Sequence, residues 1–104
     1  MGILSDVEEE LLPELPRFFE NYADDLDQLK QSLEDRDGEA VESTIHRMKG
    51  SSGSWGFQAI HETAVDLEEA AKNRDWDAVE SELETLENEI EQARNAVDEE
   101  LDEN

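Results

Sequence analysis

The sequence has no cysteine, only two prolines, and eight basic residues among 104. It also lacks any apolar run near the roughly 18 residues that a membrane-spanning helix needs. Each absence excludes something. Without cysteine there is neither a disulfide framework nor a thiolate metal site. So few lysines and arginines, set against 31 Asp and Glu, leave a net charge of -23. A binder held by nucleic-acid phosphates needs a basic surface, so that class is excluded. An anionic membrane would repel the chain. The opening Met1–Glu8 has neither the basic start nor the apolar stretch of a secretory leader. The expectation is one soluble, cytoplasmic domain spanning 1–104.

High charge with 36% hydrophobic residues can also mean disorder, but the apolar residues are regularly placed. Ser5 and Glu8 have capping-box spacing, which with Val7, Leu11 and Leu12 predicts a short helix over about 5–12. Pro13 and Pro16 punctuate its end and the start of the next helix. Leu15, Phe18, Phe19, Tyr22, Leu26, Leu29 and Leu33 recur every three or four residues and predict a helix over about 16–36. Asp37 is a candidate N-cap for a helix over about 38–53, with Val41, Thr44, Ile45, Met48 and Ser52 inward. Phe57, Ile60, Ala64, Leu67 and Ala71 mark another over about 57–73. Asp75 opens the last, about 76–98, with Trp76, Val79, Leu83, Leu86, Ile90, Ala93 and Val97 inward. The acidic tail 98–104 has little to bury and is expected to fray. No segment alternates with period two. The predicted fold is therefore all-α: an antiparallel four-helix bundle with a short additional N-terminal helix. Arg36–Ser43 echoes Arg74–Ser81, two helices entered through the same cap and acidic first turn.

The unusual stretch is Thr44–Phe57. On a wheel centred on Val41, His46 falls at about 140°, on the solvent side, while Val41, Ile45, Met48 and Ser52 stay within about 40° of the centre. Lys49 follows His46 one turn on. Gly50 and Gly53 replace side chains that would crowd the imidazole, although glycine within a helix costs roughly 1 kcal/mol against alanine. Pointing outward, the two glycines gain nothing from the core, so close approach by a partner is their expected use. A neutral imidazole is a competent nucleophile near neutral pH. A phosphoryl group arriving there brings about two negative charges, which the Lys49 ammonium offsets.

His46-Arg47-Met48-Lys49-Gly50-Ser51-Ser52-Gly53-Ser54-Trp55-Gly56-Phe57 resembles the signature of histidine-containing phosphotransfer (HPt) domains. The likeness extends through Leu15-Pro16-Arg17-Phe18-Phe19, Asp66–Ala71 and Arg74-Asp75-Trp76. The resemblance implies a phosphoryl carrier in a two-component phosphorelay, not a kinase. His46 is then the phosphoacceptor, Lys49 supports the phosphoryl group, and Gly50 with Gly53 admits a receiver domain. The implied partners are a response-regulator receiver and a histidine kinase or hybrid kinase. The chain needs no cofactor of its own, since the catalytic aspartates and Mg²⁺ belong to the receiver. A monomer is expected.

Other readings stay open at this level. The same segment could be the phosphoacceptor domain of a hybrid or chemotaxis-type kinase, or a helical adaptor without phosphorylation. An acidic nucleic-acid mimic would leave the His46–Lys49–Gly50 patch unexplained. His61 lies on the flank of its helix, where a half-exposed residue without chemistry is the plain reading. Leu11, Leu12, Leu15 and Phe19 are either core or an apolar patch for docking. Trp55 is expected to cover a helix end. The acidic surface fits adaptation to concentrated salt. With roughly 6,000 Å² of surface, 23 excess charges repel strongly in dilute buffer and are screened in molar salt, where the Debye length is about 3 Å.

Overall fold

The computed structural model describes residues 14–102, with side chains through Asp98. It contains four helices: α1 (Leu15–Glu34), α2 (Gly38–Trp55), α3 (Gln58–Lys72) and α4 (Trp76–Asp102). There is no strand among the described residues. Short connections make successive helices antiparallel, giving an elongated body of 44 × 19 × 19 Å. The short helix expected at 5–12 lies outside the described residues.

Each helix buries the stripe its periodicity marked, apart from Leu33 and Trp76, which are half-buried. Leu15, Phe18, Phe19, Tyr22, Leu26 and Leu29 of α1 meet Val41, Ile45 and Met48 of α2, Ile60, Ala64, Leu67 and Ala71 of α3, and Val79 through Val97 of α4. Each large aliphatic or aromatic side chain so buried contributes roughly 1.5–3 kcal/mol. Leu15 and Phe19 are 0% and 5% exposed, so the docking-patch alternative fails for these two. Leu11 and Leu12 lie outside the described residues. An aromatic cluster fills one end: the Phe18 ring lies 4.3 Å from Tyr22, 4.9 Å from Trp55 and 5.3 Å from Phe57, between centroids. The half-buried Trp55 therefore packs on α1.

The helix ends share one device. Asp37 accepts a hydrogen bond from the Ala40 amide and Asp75 one from the Ala78 amide, as N-caps. All three connections between the helices are Schellman turns: the amide of Asp37 donates to Ser32, that of Phe57 to Ser52, and that of Asp75 to Ala70. The left-handed position is Gly56 in one turn and Arg36 or Arg74 in the others, with φ of 83°, 54° and 56°. A glycine is strain-free there; an arginine is not. Both arginines have an offsetting contact, since Arg36 donates to the Leu33 carbonyl and Arg74 to the Ala71 carbonyl. A cation at that point also suits the negative end of the helix dipole. Gly56 explains why α2 continues to Trp55, past the expected stop near 53. The two glycines at 50 and 53 are tolerated, and the helix ends only where the backbone turns left-handed.

The two echoing turns pack against each other. The Arg36 guanidinium lies 5.4 Å from the centre of the Trp76 ring. Arg74 covers Gly38, where a Cβ would collide with its guanidinium. Each arginine thus sits over the first residue of the helix that the other turn begins.

Candidate functional site

His46 stands near the middle of α2 on the face away from the core, its side chain 72% exposed. It points there because Val41, Thr44, Ile45, Met48 and Ser52 take the inward positions, and all five are buried. Lys49 lies one turn further along the same face, 27% exposed.

Both residues converge on Glu68 of α3. One Glu68 oxygen lies 2.9 Å from His46 Nδ1, and the other accepts a hydrogen bond of 2.7 Å from Lys49 Nζ. Lys72, one turn along α3, is 4.0 Å from the second oxygen. The Glu68 side chain is only 9% exposed. Burial alone would push its pKa up. The Lys49 hydrogen bond outweighs that and, with help from His46 and the charge of Lys72, holds the carboxyl below 4.5. An ionised carboxylate can only accept, so Nδ1 of His46 carries the hydrogen. In the neutral ring, Nε2 is then the nitrogen with the free lone pair.

The backbone around Lys49 is held from both sides. Tyr22 of α1 donates its hydroxyl to the Met48 carbonyl at 3.0 Å and lies 2.8 Å from the Ser51 hydroxyl. Burial raises the pKa of that phenol, so it remains a neutral donor at ordinary pH. His61 of α3 donates from Nδ1 to the Lys49 carbonyl at 2.9 Å. Arg47 points the other way, to Asp25 of α1 at 2.6 Å.

The two glycines differ. A Cβ on Gly50 would meet nothing within 4 Å. A Cβ on Gly53 would lie 3.2 Å from His61 Nδ1 and 3.4 Å from its Cε1. Both glycines are exposed, as their outward placement predicts, and at Gly53 the missing side chain also makes room for the His61 ring.

A family model for the Hpt domain matches residues 15–96. The chain belongs to the Hpt domain family. No curated protein and no solved structure matches it significantly. Members of the family carry phosphoryl groups in two-component signalling and work with kinases and receiver domains. The helical bundle of this Hpt domain is the architecture expected of the family. No helix among the described residues is long and apolar enough to cross a membrane.

Sequence reasoning places His46 and Lys49 on one face of this Hpt domain and misses what joins them. Glu68 is one of 31 acidic residues, and nothing in its own position separates it from the others. A signal does exist in the spacing: Glu68 comes two helical turns after His61, on the same flank of the α3 apolar stripe. His61 reads as a bystander in sequence because a helix wheel shows which face a residue occupies, not which neighbouring backbone it reaches.

Proposed function

We propose that this Hpt domain accepts a phosphoryl group on Nε2 of His46 and exchanges it with an aspartate of a receiver domain. The observation that carries the reading is the Glu68 bridge, one carboxylate joined to both His46 and Lys49. The Nε2 lone pair attacks the phosphorus of an aspartyl phosphate. The N–P bond forms, the P–O bond to the aspartate breaks, and the carboxylate leaves with its electron pair. The imidazole becomes cationic as the bond forms, and the Glu68 carboxylate beside Nδ1–H stabilises that charge. Lys49 is already within reach of the region and supplies a positive charge to the incoming phosphoryl group. The reverse reaction returns the group to an aspartate.

In this reading the chain is a carrier with no kinase chemistry of its own, and the aspartates and Mg²⁺ of the reaction belong to the receiver. It works as a cytoplasmic monomer. Gly50 leaves open surface beside His46 for the partner to approach. The same roles hold whether the domain acts alone or within a larger kinase. The acidic surface fits a protein that works in concentrated salt.

Incubation with a radiolabelled phospho-receiver tests the reading. Label is expected on wild type, in an acid-labile and base-stable form, and is lost in His46→Gln. Label of that kind persisting in His46→Gln refutes the assignment. Lys49→Ala should remain folded, with slower transfer or a shorter phosphohistidine lifetime. Its stability cost should be about 1.5–3 kcal/mol, that of one charge-assisted hydrogen bond to a buried carboxylate.

A further inference from the structure

We propose that His61 is a positioning residue for Lys49, acting through the Lys49 carbonyl and seated on Gly53. The proposal rests on the phosphocarrier reading of His46 and Lys49 and adds a residue to which that reading assigns nothing.

Just past Lys49, α2 runs through Gly50, Ser51, Ser52, Gly53 and Ser54. Glycine and serine are weak helix formers, so this is the part of α2 least able to hold its own geometry. Two carbonyls at its start take additional donors. That of Met48 accepts from Tyr22 and Ser51, and that of Lys49 accepts from His61 and Ser52. Tyr22 comes from α1 and His61 from α3, so the weak segment is fastened to a helix on each side.

On the α3 side, Lys49 is held at both its ends. His61 holds the backbone carbonyl at 2.9 Å, and Glu68 holds the ammonium at 2.7 Å. When a phosphoryl group arrives at His46, the ammonium can leave Glu68 for the new charge. Its range is then set by where its backbone is fixed, and His61 fixes it. A carbonyl oxygen cannot donate, so this contact requires a hydrogen on His61 Nδ1. Gly53 completes the arrangement. The imidazole lies where a Cβ would stand 3.2 Å from Nδ1, closer than a packed ring accepts without moving.

The tests use the full chain. Long-range ¹H–¹⁵N correlation spectra of the unphosphorylated protein should show His61 with its hydrogen on Nδ1. A neutral ring protonated on Nε2 alone overturns the proposal without reference to phosphotransfer. With a radiolabelled phospho-receiver, His61→Ala should slow labelling of His46 about fivefold, as expected of a misaimed charge. His61→Asn, whose side-chain amide can place a donor near the Nδ1 position, should restore most of the loss. An alanine variant as fast as wild type, or an asparagine variant as slow as alanine, overturns the proposal. Gly53→Ala should slow transfer as His61→Ala does, and the double variant should be no slower than either single one. Fully additive losses in the double variant count against a shared clamp. If the wild-type chain takes no label at His46, the phosphocarrier reading fails, and the His61–Lys49 contact is then judged by the spectra alone.

Discussion

The imidazole of His46 and the carboxylate of Glu68 lie on different helices, 2.9 Å apart, and that contact decides which ring nitrogen faces solvent. Because Glu68 is ionised, Nδ1 carries a hydrogen, and in the neutral ring the lone pair is then on Nε2. Glu68→Ala removes the acceptor and frees the imidazole to change tautomer and turn. Phosphoryl uptake from a receiver should then slow roughly ten- to a hundredfold, the equivalent of a charge-assisted hydrogen bond of about 1.5–3 kcal/mol. Glu68→Gln retains an acceptor for Nδ1–H and should lose less. Equal rates for wild type and Glu68→Ala would remove Glu68 from the mechanism.

Gly50 should separate stability from function. Its α-carbon faces open space, so Gly50→Ala restores ordinary helix propensity and should stabilise the fold by about 0.5–1 kcal/mol. On the proposed reading, the same methyl group would stand in the path of a receiver approaching His46. Thermal melts should therefore rise while receiver-dependent labelling slows. A variant that is more stable and equally fast would show that Gly50 is not needed for access.

Acid should act through Glu68. Its folded-state pKa lies below the usual 4.5, so the folded chain binds this proton less readily than the unfolded one. The resulting stability is complete above the unfolded value and disappears as pH falls through the folded one. Protonating the many other carboxylates relieves repulsion over the same range, so the measurement must be a difference. The excess melting temperature of wild type over Glu68→Gln should hold near neutral pH and shrink once pH drops below 4.5. Parallel curves for the two proteins would refute the linkage.

Salt should stabilise the fold strongly. Net charge -23 is spread over 6436 Å² of surface, and few cations answer it. Lys30 with Glu87, Arg47 with Asp25 and Arg74 with Glu42 are ion pairs that bridge elements away from the Glu68 cluster. Repulsion among the remaining carboxylates is screened as the Debye length falls from about 10 Å at 0.1 M to about 3 Å at 1 M. The melting temperature should climb between roughly 0.1 and 2 M KCl. An unchanged value would count against adaptation to concentrated salt.

The helices and the exposure of His46 are legible because both depend on periodicity, a property of neighbours in sequence. The inward set Val41, Thr44, Ile45, Met48 and Ser52 is what leaves His46 outside, and no other helix is needed to infer it. Boundaries are less legible. The glycine-rich run is expected to stop α2 near 53, yet the helix runs to Trp55 and ends only where Gly56 turns left-handed. The paired turns show the same limit. Sequence reveals that Arg36-Asp37 and Arg74-Asp75 begin helices alike, but not that Arg36 lies over Trp76 and Arg74 over Gly38.

The sequence by itself determined four amphipathic helices, an exposed histidine with a lysine one turn on, and membership in a family that carries phosphoryl groups. Only the tertiary structure decided which of 31 carboxylates joins His46 to Lys49, and what holds the Lys49 backbone in place. The reason is physical. A helical period fixes where a side chain points relative to its own axis. A hydrogen bond between helices depends on how two axes are placed, and the packed core decides that.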